Sequence, residues 1–182
     1  MATETITKTK WNLDQTHSEI GFKVRHMMIT NVSGSFGKFD INVETEGNDF
    51  ATADIILKAD LNTISTGNND RDNHLKSADF FDTSRYPQLT FVSTSLEKID
   101  EATFELVGDL TLRDVTRPVK LDVEFGGIGK DPWGNEKAGF TITGKINRTD
   151  FSLNWNAALE TGGVLVSEEV KLYAEIQLVK QV

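Results

Sequence analysis

Cysteine is absent from the 182-residue chain, which excludes a disulfide framework, a thiolate nucleophile and cysteine-bound zinc. Histidine occurs only as His17, His26 and His74. No two of them have the short spacing that metal ligands on one element use, so no metal site is expected. No apolar run approaches the ~20 residues of a membrane helix, and the opening MATETITKTKW holds no signal-peptide core. These absences predict no stable membrane insertion and a cytoplasmic location, or a periplasmic one if a leader has been removed. Basic residues are the minority: 19 Lys and Arg against 28 Asp and Glu leave a net charge of −9. That balance repels a nucleic-acid backbone and an anionic bilayer alike, so nucleic acid is not an expected partner. GxSxG, HExxH, Walker and GxGxxG patterns are also missing, which leaves the case for an enzyme thin.

What is present is alternation. From 118 to 125, Val119, Leu121, Val123 and Phe125 interleave with Lys120, Asp122 and Glu124, placing one set on each face of a pleated strand. The same rhythm runs through Ile20, Phe22, Val24; Ile55, Leu57, Ala59; Phe104, Leu106, Leu110, Leu112; Phe140, Ile142, Ile146; and Val170 to Leu178. Strands are predicted near 9–14, 17–27, 35–45, 52–61, 88–97, 102–112, 118–127, 137–147 and 168–180. Turn formers at Asn31-Val32-Ser33-Gly34, Glu46-Gly47-Asn48-Asp49, Asp100-Glu101 and Arg113-Asp114 predict hairpins. Long strands with a single dry face suit a closed antiparallel barrel, which has no free edges. The expected fold is all-β: one domain over 9–180, an extended eight-stranded antiparallel barrel with a short helix over one mouth. Residues 62–87 supply that helix, with Asn69 as its N-cap, Asp70 and Asp72 in the first turn, and Phe80 and Phe81 as an aromatic plug. A second long loop spans 154–169, and long loops in compact domains are usually functional or mobile.

Few groups offer chemistry. Asp14, His17 and Ser18 have the residue types of a hydrolytic triad but the wrong disposition, since adjacent strand residues point to opposite faces. Asp14 and His17 are expected instead to tie a bend between strands through backbone hydrogen bonds. His26 continues the face of Ile20, Phe22 and Val24, so it should point inward near a strand end, towards a carbonyl or a ligand. Arg71, Asp72 and His74 could cap loop ends or hold a polar head, and Arg148 with Asp150 invites the same two readings, a structural pair being favoured. An eight-stranded barrel is either filled by its own side chains or holds one small ligand. Small inward residues such as Ala59, Gly108, Gly144 and Ala174 would leave room, unless bulky neighbours pack over them.

Seven blocks in register then resemble a known family: DQTHSEIGFKVRH, VSGSFGKFD, LNTISTGNNDRDNHLKSADFFD, YPQLTFVS, GDLTLRDVTRPVKL, AGFTITGKINRTDFSLNW and GGVLVSEEVKL. From about Trp11 to Leu178 the chain is similar to the YceI-like family of lipocalin-like, polyisoprenoid-binding proteins. It departs at Arg113-Asp114, where a small residue and glycine are usual, and at Ser152, where glycine is common. The resemblance implies non-catalytic binding, storage or transport of an isoprenoid, of polyprenyl or isoprenoid-quinone type, or of a similar long-chain lipid in the channel. No cofactor beyond that hydrophobic ligand is expected, and a homodimer is possible. Alternation and family likeness together nominate an apolar lining of Ile20, Phe22, Val24, Ile55, Leu57, Phe91, Leu106, Leu110, Val123, Phe140, Ile142, Leu172 and Ile176. His26, Arg71 and His74 are the candidates for the head group. The alternative is an enzyme acting on a quinone or isoprenoid intermediate with a histidine as general acid or base.

Overall fold

The computed structural model describes residues 7–157, 159 and 164–181. The strands are β1 (Lys8–Leu13), β2 (Glu19–His26), β3 (Thr30–Phe36), β4 (Phe39–Glu46), β5 (Asp49–Asp60) and β6 (Ile64–Ser65). The single described α-helix, α1 (Asn69–Lys76), precedes β7 (Gln88–Lys98), β8 (Thr103–Leu112), β9 (Val115–Lys130), β10 (Glu136–Asn147) and β11 (Val166–Lys180). All strand pairings are antiparallel, in the order β1-β4-β5-β7-β8-β9-β10-β11. β1 returns to β11 through Trp11↔Lys180 and Leu13↔Leu178, closing an eight-stranded ring. β2 leaves the same β11 along its N-terminal part, from Val166↔His26 to Glu175↔Glu19. β3 and β6 extend it as a flap.

Alternation explains these strands. In β8 the side chains of Phe104, Leu106, Leu110 and Leu112 are all buried, while Asp109 between them is exposed. The hairpin turns at Gly47, Asp100 and Arg113 stand where turn chemistry places them; Gly47 has φ +59°, and Asp100 accepts the Ala102 N–H at 2.9 Å. Residues 31–34, expected as a turn, instead belong to β3. Gly34 is there because the Phe22 ring of β2 lies across it, and a Cβ would collide with that ring. The turn falls earlier, at Met27 and Met28. The single strand expected over 35–45 is likewise broken after Phe36, where Gly37 donates to the Thr63 carbonyl at 3.1 Å. The helix is capped one residue earlier than expected: Asn68 accepts the Arg71 N–H at 3.0 Å.

Two family departures acquire a backbone meaning. Arg113 and Ser152 have φ of 57° and 62°, the left-handed region where a Cβ is disfavoured. Ser152→Gly should therefore raise the unfolding free energy by about 1 kcal/mol in denaturant titration; an unchanged or lowered midpoint would show that the serine is not strained there.

Asp14 and His17 do tie the chain together, and Ser18 joins them. Asp14 and Gln177 are joined through the backbone at 2.8 Å, and Ser18 Oγ donates to the Gln177 carbonyl at 3.3 Å. The Asp14 carboxylate receives Lys137 Nζ at 2.8 Å and lies 2.9 Å from His17 Nδ1. The Lys137 hydrogen bond, against an opposing effect of burial and with help from His17 and Thr16, holds Asp14 well below the usual carboxylate range. A lowered folded pKa means that the stability is present in full above the unfolded value near 3.8 and is lost as pH falls below it. Asp14→Asn should thus be less stable than wild type at neutral pH, and the gap should close on acidification below about 4. A gap independent of pH would assign the loss to geometry alone.

Candidate functional site

The ring encloses a cavity of ≈ 560 Å³. One end is stopped by aromatic rings near the β4–β5, β7–β8 and β9–β10 hairpins. Phe50 packs on Trp11 and Phe140, each at 4.9 Å between centroids, and Phe125 lies 5.3 Å from Phe50 and 5.2 Å from Phe140. The Trp11 indole donates to buried Thr45 Oγ1 at 3.0 Å. This leaves the floor without an unsatisfied polar group from the tryptophan.

The walls are the inward faces of the strands. Every apolar position nominated from the sequence borders the cavity, from Ile20 and Phe22 on β2 to Leu172 and Ile176 on β11. The inward glycines do not create the space. Gly108 is covered by the Phe91 ring and Gly144 by the Leu121 side chain, so each lets a bulky neighbour lie flat against the wall. Packing on the glycines and a hollow interior coexist.

Polar residues gather at the other end, around α1, the end of β2 and the start of β11. His26, Arg71 and His74 all border the cavity there, with Arg25, Thr66, Asp70 and Arg148. Arg71 is largely committed to its own loop: Nε donates to Thr66 Oγ1 and Nη2 to the Thr66 carbonyl, both at 2.7 Å. Asp72, buried, accepts the Thr66 N–H and hydroxyl at 2.8 and 2.6 Å. His74 Nε2 lies 2.9 Å from Asp79, a carboxylate partner that the sequence did not reveal. Its ring stands edge-on to Trp155 at 4.7 Å and to Phe80 at 5.1 Å. His26 is half-buried, opposite Val166 on β11.

Arg148 corrects one expectation. Among the described residues Asp150 makes no ion pair with it; the buried guanidinium donates instead to four carbonyls. Nε reaches Ser167 at 2.8 Å, Nη1 reaches Leu153 at 2.6 Å and Trp155 at 2.8 Å, and Nη2 reaches Val166 at 3.2 Å. Asn156 adds a bond in each direction with Val166, at 2.7 and 3.1 Å. Burial lowers the Arg148 pKa, with Glu168 opposing, yet an arginine stays charged across the physiological range. One cation therefore pins the described ends of this loop, residues 153–155 and 166–167, at the cavity rim. Sequence periodicity missed Trp155, Leu153 and Leu165 because a loop has no repeating face. A tryptophan and leucines in a loop without strand periodicity were the available signal.

Comparison with known proteins agrees with this geometry. The sequence pattern of the YceI-like domain matches residues 11–178. The chain belongs to the YceI-like family. A UPF0312 protein of Staphylococcus aureus strain MSSA476 is 41% identical over 170 residues, covering 93% of this chain and 96% of that protein. The crystal structure of the Campylobacter jejuni YceI protein superposes with a TM-score of 0.76 at 31% identity, over the whole of both chains. A polyisoprenoid binding domain from Saccharophagus degradans, implicated in plant cell wall breakdown, shares the fold with a TM-score of 0.64 at 17% identity, over 94% of this chain and 98% of that one. These likenesses give the chain its family and its barrel fold. Among the described residues no helix is long and apolar enough to cross a membrane.

Proposed function

We infer that this YceI-like barrel binds, stores or carries an isoprenoid or similar long-chain lipid without transforming it, the tail in the cavity and the head beneath α1. The observation that carries this reading is the distribution of polarity. A cavity of ≈ 560 Å³ has an aromatic floor and aliphatic walls, and its charged and imidazole groups stand at one end. Such a site rewards an elongated guest with one polar terminus. The polyisoprenoid binding domain that shares the fold supports the choice of an isoprenoid. The test is mass spectrometry of solvent extracts from denatured protein. A long-chain lipid at near-equimolar amount is expected, and extracts without one, from protein that also refuses added geranylgeraniol, would refute the reading.

The His74–Asp79 contact keeps a second reading alive, in which that pair serves as acid and base on a quinone or isoprenoid. Both side chains are solvent-accessible, at 38% and 53%. Lipid recovered chemically unchanged after incubation counts against turnover.

A further inference from the structure

The β2–β3 hairpin turns through Met27 and Met28, with φ of 52° and 62°. The Ile29 N–H closes the turn on the His26 carbonyl at 3.2 Å. A two-residue turn of this kind favours Asn-Gly, because both central residues need positive φ. Methionines here carry strain and gain no packing in return: Met27, Met28 and Ile29 are 43%, 57% and 72% exposed. Val164 adjoins them, 38% exposed; its neighbour Leu165 accepts the Met27 N–H at 2.8 Å. His26 and Leu165 both border the cavity, so this apolar tip stands at the rim of the mouth.

The local charge is also distinctive. The β2–β3 hairpin itself, from Ile20 to Phe36, holds no carboxylate and two cations, Lys23 and Arg25, in a chain whose net charge is −9; the carboxylates beside it, Glu168 and Glu169, belong to β11, the strand paired with β2. A few side chains fall far short of the ~800 Å² that a stable protein partner covers on each side. Shallow insertion into a bilayer needs no matching surface, and flexible methionines adapt to disordered acyl chains.

We propose that the Met27–Ile29 tip is a bilayer-docking element. It enters the boundary between headgroups and acyl chains, the hairpin cations meet lipid phosphates, and the mouth is brought against the membrane for exchange of its guest. The exchange rests on the lipid-carrier reading; the docking does not. Met27→Asn combined with Met28→Gly installs the residues the turn prefers, so thermal stability should equal or exceed wild type. Co-sedimentation with phosphatidylcholine vesicles should nevertheless fall about tenfold. Transfer of a pyrene-labelled hexadecyl chain from those vesicles should slow in parallel, while uptake of the same probe from detergent micelles stays at the wild-type level. Equal vesicle binding by both proteins, or a wild type that does not sediment with vesicles, would overturn docking. Wild-type dimers dissociated by the same double substitution, without vesicle binding, would assign the patch to a second copy instead. Failure to take the probe from micelles would count against the carrier reading alone, because vesicle binding is measured without it.

Discussion

Arg148→Met is expected to lower the unfolding free energy by about 3 kcal/mol or more, since the Leu153, Trp155 and Ser167 carbonyls lose their donor at once, while that of Val166 keeps Asn156, and a buried unsatisfied acceptor costs roughly 1–3 kcal/mol. Methionine keeps much of the aliphatic stem, so the loss reports hydrogen bonding more than packing. Leu153, Trp155 and Val166 border the cavity, so release should reach its rim as well. Arg148→Lys should recover only a minor part, because one ammonium cannot replace a planar fork with five donors. Equilibrium denaturation of the three proteins decides the matter. A loss below about 1 kcal/mol would mean that water reaches those carbonyls in the folded state.

Leu172→Asp should abolish retention of a long-chain lipid. Leu172 lies between Gly144 of β10 and Phe22 of β2 and borders the cavity. Each buried methylene contributes roughly 0.8 kcal/mol, so about eight carbons give some 6 kcal/mol gross before the guest's ordering cost is subtracted. A carboxylate in that wall either ionises beside the chain or draws water in, and both outcomes cancel much of the gain. Phe22→Asp should behave alike, with an added risk to the Gly34 contact. Far-ultraviolet circular dichroism separates lost binding from lost fold. A folded Leu172→Asp protein carrying lipid at wild-type stoichiometry would remove the aliphatic wall from the account.

How much the sequence disclosed depends on whether a feature repeats. β8 and β11 were legible because each inward residue is followed by an outward one whose character differs. The position of the helix was legible from its acidic first turn. The β2–β3 turn was not: Met27 and Met28 carry none of the usual turn chemistry, while Asn31 to Gly34 carry it and lie in a strand. Gly34 reads as a turn residue in one dimension and as a seat for Phe22 in three. The candidate site divides the same way. Its aliphatic walls follow from period two, whereas Arg148 reads as half of an ion pair with Asp150 until the loop carbonyls that surround it are seen. His74 and Asp79 are near in sequence, but only the turn after α1 brings them to 2.9 Å.

The rings of Trp11, Phe50, Phe125 and Phe140 make the barrel a blind shaft. The lipid proposed above could not thread through it; insertion would be tail first and departure head first, by the same route. The depth from rim to rings then works as a gauge. On that reading a tail shorter than the shaft would leave a void beneath it, and a longer one would fold back or leave its polar terminus standing clear of the protein.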